Sequence, residues 1–259
     1  MLIFDAVDLL VPMNMTGNTI LITGGTSGIG LGLAQRFQDE GNTVIIAGRR
    51  RALLESISAN NPGIFGLPLD VDDPASINAL RDTVLRDYPE LNVLITAAGI
   101  MHPENLLDPA HLSTAEATIS SNLLGPIRTI TALAPLLVGK PDATIITVSS
   151  GLAFVPLSAT PTYNATKAGI HAYSEVLRQQ LSPAGIQVLE LIPPAVRTAL
   201  MGSQEAENAM PLDEFLSEVM SILHEDPDAK EILVENVKPL RFAAAQGTYD
   251  KIFALLADR

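Results

Sequence analysis

The chain has 259 residues, 47% of them hydrophobic, with a mean hydropathy of +0.28, enough for one large α/β domain with a full core. A formal net charge of −13 argues against nucleic acid or an anionic membrane as the main partner. There is no cysteine, hence no disulfide, thiolate metal site or cysteine nucleophile. Only 4% is aromatic, without tryptophan, which predicts an aliphatic core suited to parallel strands covered by helices on both faces.

Residues 1–14 are apolar but carry Asp5 and Asp8 and no Lys or Arg, so they lack the basic start of a secretory signal. No apolar run reaches transmembrane length. The expectation is a cytoplasmic protein, with residues 1–14 an extension ahead of one domain over 15–259. Thr19 to Thr23 is a short apolar run, rich in β-branched residues, that reads as a buried strand. Glycines follow at 24, 25, 28 and 30, and then a helical pattern to Glu40. A strand turning through glycines into a helix offers unpaired N–H groups and partial positive charge to an anion, and lets backbone approach a pyrophosphate closely. Gly24, Thr26, Ser27, Gly28, Ile29 and Gly30 are therefore candidate cofactor residues. A tight turn without ligand is the other reading of this stretch alone.

Thr43 to Ala47 predicts a second strand, running into Gly48-Arg49-Arg50-Arg51, the densest basic cluster in an acidic chain. A helix over 52–59, a strand over 64–69 ending at Asp70-Val71, a helix over 74–88 and a strand over 93–96 ending at Ala97-Ala98-Gly99 follow. After a loop to Leu112, Ser113 to Val138 carries a long helical pattern in which Pro126 predicts a kink. The fifth strand, 144–148, ends at Ser149-Ser150-Gly151. A helix over 162–181 holds Tyr163 and Lys167, and the sixth strand, 186–192, ends at Pro193-Pro194. A lid is expected over about 195–223, irregular and mobile to Met210 and helical from Pro211. A short strand at 231–234 and a helix over 247–256 close the chain. Strands alternating with helices, without repeats, predict a doubly wound parallel sheet in a single domain. In such sheets ligands sit beyond the C-terminal ends of the strands, where Gly24, Arg49, Asp70, Gly99, Ser150 and Pro193 fall.

Tyr163 and Lys167 lie four apart, on one helix face. An ammonium beside a phenol is expected to lower the phenol pKa and ready it for proton exchange with an alcohol or carbonyl. Ser150 ends a neighbouring strand and could bond the same oxygen. A bare Tyr-x-x-x-Lys is more often an ordinary tyrosine and a solvated lysine. The wider set changes that. Thr23-Gly24-x-x-x-Gly28-x-Gly30, Asp70, Ala97-Ala98-Gly99, Asn122, Ser150, Tyr163-x-x-x-Lys167 and Thr198 occur in one order. In these motifs the chain resembles the short-chain dehydrogenase/reductase family in its single-domain, Rossmann-type three-layer form, over about Thr16 to Leu200. Its Ser149-to-Pro156 stretch, Pro193-Pro194 and C-terminal tail resemble the DltE-type bacterial branch.

The resemblance implies hydride transfer between a nicotinamide and a carbonyl or alcohol carbon. Tyr163 would be general acid or base and Ser150 would hold the substrate oxygen. Lys167 would tune Tyr163 and bind the nicotinamide ribose. Asn122 would hold a water linking Lys167 to solvent. Thr198 and the backbone near Val196 would fix the carboxamide, with Pro193 beside it. Asp70 would meet the adenine amine and Val71 line its pocket, with Ala97, Ala98 and Gly99 on the cofactor. It also implies a homodimer or homotetramer. Thr96 replaces the family's usual asparagine, and Pro194 its usual glycine.

At the end of the second strand, where NAD readers place an acid for the ribose 2′-hydroxyl, stands Gly48, followed by Arg49. An arginine fork suits a 2′-phosphate, so NADP(H) is expected over NAD(H); a solvated helix start is the alternative. The four histidines show no metal spacing. Leu152, Phe154, Val155, Leu157 and the segment 199–210 are expected to shape an apolar substrate pocket. The competing function is a cofactor-binding redox sensor without turnover.

Overall fold

The computed structural model describes residues 11–257. Seven strands form one parallel sheet: β1 (Thr19–Thr23), β2 (Thr43–Gly48), β3 (Ile64–Pro68), β4 (Leu91–Thr96), β5 (Thr144–Val148), β6 (Gln187–Leu191) and β7 (Glu231–Ile232). Their order is β3-β2-β1-β4-β5-β6-β7. The chain winds outward from β1 to β3, returns to β4 beside β1, and winds the other way. Thr23 pairs with Ala47 on one side and Thr96 on the other, so the strand order reverses between β1 and β4. A crevice at such a switch point is where this architecture takes ligands.

Because side chains alternate across a strand, each strand feeds two cores. Ile20, Ile22, Val44, Ile46, Val93 and Ile95 face one layer. It is formed by α1 (Gly28–Asp39), α2 (Arg51–Asn60) and α7 (Leu212–Glu225), through residues such as Phe37, Leu54 and Phe215. Leu21, Ile45, Leu94, Ile145 and Val188 face the other. There α3 (Pro74–Asp87), α5 (Gly125–Leu137) and α6 (Pro161–Leu181) contribute Leu80, Leu133 and Leu177. This is a Rossmann-like three-layer fold in a single domain. Pro74 and Pro161 open α3 and α6, where a missing N–H costs nothing.

The predicted kink in the long helical pattern is a π-helical turn, Ser120–Leu124, between α4 (His111–Ile119) and α5. Pro126 withholds the N–H that the Asn122 carbonyl would receive in a regular helix, and the chain widens by one residue ahead of it. The second half of the expected lid, 212–223, is a core helix: Phe215, Leu216, Val219 and Leu223 are buried against α1 and the sheet. The first half is tied by a bridge from Val196 to Met210 and by a 3-10 turn, Leu200–Glu205. Of the expected N-terminal extension, residues 1–10 lie outside the described ones. Met13 is buried in the core, and its N–H donates to Gln187 Oε1 at 3.0 Å. Two short helices, α8 (Lys238–Arg241) and α9 (Tyr249–Ala257), finish the chain. The sequence pattern did not announce α8.

Candidate active site

The glycine turn after β1 is built from backbone. Gly24 has φ +72°, and a Cβ there would stand 2.7 Å from Ala98 Cα. Only glycine admits so close an approach of the β1 and β4 ends. Gly28 has φ +53°, and a Cβ on it would meet Thr198 Cγ2 at 3.3 Å. Ser27 precedes α1 in an extended conformation and makes no side-chain cap bond, so the first N–H groups of that helix remain for an anion. Gly30 lies against the Gly24 carbonyl and Ile29 is half-buried in the same turn. This cradle fits the phosphates of a dinucleotide.

Around it stand the other predicted cofactor residues. Arg49 is exposed at the end of β2. Its neighbour Arg50 reaches the turn, donating from Nη2 to Thr26 Oγ1 at 2.7 Å and Ser27 Oγ at 3.0 Å. Asp70 Oδ1 accepts from Asp72 N at 3.1 Å, in the turn after β3. Val71 packs on Gly125 at the start of α5. Ala98 N donates to Thr23 Oγ1 at 3.3 Å, and Ala97 packs against the core. A Cβ on Gly99 would stand 3.2 Å from Asn122 Oδ1 and 3.9 Å from Lys167 Nζ, which places Gly99, Asn122 and Lys167 together. Thr96 Oγ1 is buried and makes no hydrogen bond; the Thr23 hydroxyl serves that turn instead.

On the other side of the crevice Ser150 heads a 3-10 turn, Gly151–Ala153, with Oγ accepting from Leu152 N at 3.1 Å. Gly151 N donates to the Pro193 carbonyl at 2.9 Å, so the end of β6 fixes the serine loop. Tyr163 and Lys167 are both 7% exposed on α6. Thr198 accepts on Oγ1 from Leu200 N at 3.3 Å, and Ser203 Oγ donates to the Leu200 carbonyl at 2.9 Å, with the carbonyls of Val196 and Thr198 each 3.2 Å away. All the predicted catalytic and cofactor residues therefore lie along the C-terminal edge of the sheet.

One expectation changes: the Tyr163 pKa is raised rather than lowered. Lys167 Nζ donates to the Val148 carbonyl at 2.8 Å and stands 5.6 Å from the centre of the phenol ring. Burial pushes Tyr163 up to about 12, opposed by the nearby Ser150 hydroxyl, and pushes Lys167 down to about 8, opposed by the charge of Glu190. Desolvation, which disfavours each charged form, outweighs the pairing. The Asn122 side chain is tied to the loop after β4: its Oδ1 accepts from Ile100 N at 2.8 Å and its Nδ2 donates to Ile100 O at 2.7 Å. It pins the loop after β4 to the π-helical turn.

Val155, expected at a substrate pocket, is fully buried. Leu152, Phe154 and Leu157 line a groove of 490 Å³ closed by Tyr249 and Phe253 of α9; the 199–210 segment does not line it. Sequence reasoning missed Glu104, whose buried carboxylate accepts from Thr162 N at 3.0 Å and Thr162 Oγ1 at 2.8 Å and so caps the Tyr163 helix. It missed Glu190 too, although an acid inside the apolar run of β6 was a visible signal.

A family model described as short chain dehydrogenase matches residues 18–209. The chain belongs to the short-chain dehydrogenase family. It is an NAD(P)-dependent oxidoreductase, and the reaction class is hydride transfer. This short-chain dehydrogenase is 37% identical over 247 residues to the uncharacterized oxidoreductase DltE of Bacillus subtilis, covering 93% of this chain and 97% of that one. It is 30% identical to a fatty acyl-CoA reductase of Mycobacterium tuberculosis, over 77% of this chain and 70% of the relative. A short-chain dehydrogenase of Sphingobium yanoikuyae in complex with NADPH superposes with a TM-score of 0.78 at 26% identity, covering 92% and 95% of the two chains. A 3-ketoacyl-(acyl-carrier-protein) reductase of Brucella melitensis complexed with NADH gives 0.76 at 24% identity, over 86% and 100%. Among the described residues no helix is long and apolar enough to cross a membrane.

Proposed function

We propose that the protein is an NADP(H)-dependent reductase of a carbonyl, or dehydrogenase of the matching alcohol, with Tyr163 as general acid in reduction and general base in oxidation. The observation that carries this reading is the buried phenol of Tyr163, one helical turn from a buried Lys167 whose Nζ stands 5.6 Å from the centre of its ring. When bound, the nicotinamide supplies or accepts the hydride. Ser150 holds the substrate oxygen beside the Tyr163 hydroxyl. In reduction that hydroxyl hands its proton to the oxygen as negative charge develops there. Lys167, kept in place by the Val148 carbonyl, offers positive charge to the phenolate left behind and a donor to the ribose. Thr198, which packs against Gly28, would fix the carboxamide, and Asp70 and Val71 would meet the adenine.

The preference for NADP(H) rests on charge. No carboxylate ends β2, and Arg49 and Arg50 stand there, Arg50 already on the glycine turn. The Sphingobium relative holds NADPH and the Brucella relative NADH, so the arginines decide the proposal. The substrate is a small molecule with apolar surface, in keeping with Leu152 and Phe154 beside Ser150. We place the protein in the cytoplasm as a homodimer or homotetramer. Leu112, Ile119, Leu124 and Val176, on the α4-to-α6 helices, remain exposed in the single chain.

The test is titration with NADPH and NADH, followed by NADPH oxidation against a panel of aldehydes and ketones. Tighter NADPH binding with turnover is expected, and Arg49→Asp lowers NADPH affinity about tenfold while sparing NADH. Equal affinities that Arg49→Asp leaves unchanged contradict the cofactor assignment. Binding without turnover on any carbonyl contradicts the reaction.

A further inference from the structure

An acid sits in the middle of β6, between Leu189 and Leu191, in a strand otherwise made for the core. The Glu190 side chain is completely buried. Both its oxygens meet His171 Nδ1, at 2.8 and 3.1 Å. His171 follows Lys167 by one helical turn on α6, so the two share a face of that helix. Glu190 pairs in register with Thr147 of β5, whose hydroxyl meets Ser174 of α6 at 2.7 Å. The next residue of β5, Val148, carries the carbonyl that holds Lys167 Nζ. Glu190 therefore meets α6 from the sheet at His171, one helical turn along from the anchored ammonium.

The surroundings are charged and closed. Glu231 of β7 accepts from Arg241 Nε and Nη2, both at 2.8 Å. The Arg241 guanidinium stacks on Phe154 at 4.6 Å, and the Phe154 ring meets the His171 ring at 4.7 Å. His171, Glu190 and Glu231 bring ligand-type atoms within 4.8 Å of one another, but Arg241 already occupies both oxygens of Glu231. The cluster holds its own cation and reads as an ion-pair network. Lys167 and Arg241 bring two positive charges to the two carboxylates, Glu190 and Glu231. A buried charge without such balance is costly.

We propose that Glu190, oriented by His171, is a positioning residue for the reaction: a buried counter-charge that keeps Lys167 protonated at neutral pH and set against the Val148 carbonyl. The role rests on the reading of Lys167 as the partner of Tyr163. Burial alone drives Lys167 toward its neutral form, and the charge of Glu190 opposes that drive. The other groups on this interior are accounted for. Tyr163 and His171 come from α6, with Glu175 acting on Arg241 from the same helix. Asn122 comes from the π-helical turn and is bonded to Ile100. Glu231 and Arg241 neutralise each other. Glu190, bonded to His171, is the carboxylate whose charge acts on Lys167, and it acts on Arg241 as well.

The test needs neither cofactor nor substrate. The chain has five lysines, so a protein labelled with carbon-13 at lysine Cε gives a resolvable NMR titration, with Lys167 identified through Lys167→Arg. The wild-type Lys167 midpoint is expected near 8. Glu190→Gln removes the charge and moves that midpoint down by about one pH unit or more. An unchanged midpoint in folded Glu190→Gln overturns the proposal. Should an orphaned partner prevent that variant from folding, Glu190→Met/His171→Phe removes both members and leaves no buried group unpaired. The same downward shift is expected there, and its absence has the same consequence. Failure here is separable from failure of the proposed function: full turnover by Tyr163→Phe overturns the latter without touching the Lys167 midpoint.

Discussion

At the end of β1 the chain presents backbone to the crevice; at the start of α6 it presents side chains. The glycine turn owes its shape to what is missing, a Cβ at Gly24 that would run into Ala98 and one at Gly28 that would press on Thr198. Its binding groups are N–H donors whose character no distant residue alters. The Tyr163 helix is the reverse. Its residue types are set locally, but their chemistry is set by burial and by partners brought from far along the chain: Ser150, the Val148 carbonyl, Glu104 and Glu190. Half of the site is thus fixed by conformation and half by environment, and substitutions separate the two.

Apart from removal of the Tyr163 hydroxyl itself, the largest expected effect is on the environment side. Ser150→Ala removes the hydroxyl beside the phenol and lowers kcat by about a hundredfold or more, while NADPH affinity measured by fluorescence stays within about twofold. A parallel loss of affinity would join the two halves that the structure keeps apart. Next comes the backbone side. Gly24→Ala places a Cβ where none fits, at a positive φ, and costs about 2 kcal/mol in urea unfolding, with weakened binding of NADPH and NADH alike. Wild-type stability and affinity in that variant would show the turn to be looser than its geometry. The smallest effect is at Glu104, which caps the first turn of α6. Glu104→Ala costs about 1 kcal/mol of stability and lowers kcat more than cofactor affinity. A change in affinity alone would place Glu104 on the wrong half.

The same division explains what could be read from the sequence. Strands such as β1 and β5 follow from short β-branched apolar runs bounded by glycine, serine or alanine, and β5 falls at its predicted bounds, Thr144–Val148. The glycine turn was legible because its residues are contiguous and their physics local. The direction of the Tyr163 pKa was not. Spacing places Lys167 on the right face, but nothing in Tyr-x-x-x-Lys reveals that the ammonium goes to Val148 or that both groups are buried. Arg50 was visible as part of a basic cluster, yet which arginine reaches Thr26 depends on the turn of β2 into α2. Glu104 gave no local sign, since its partner Thr162 lies 58 residues away. Pro126 announced an irregularity, and the structure gave it the form of a widened turn that carries Asn122.

The central claim is that Tyr163 donates the proton while the glycine turn holds the cofactor without it. Tyr163→Phe removes one oxygen and leaves the ring. NADPH titration and NADPH oxidation, measured side by side on this variant and on the wild type with the carbonyl that the wild type turns over best, test the claim most directly. The account predicts a fall in kcat of about a hundredfold to ten-thousandfold with binding unchanged. Turnover close to the wild-type rate would contradict it.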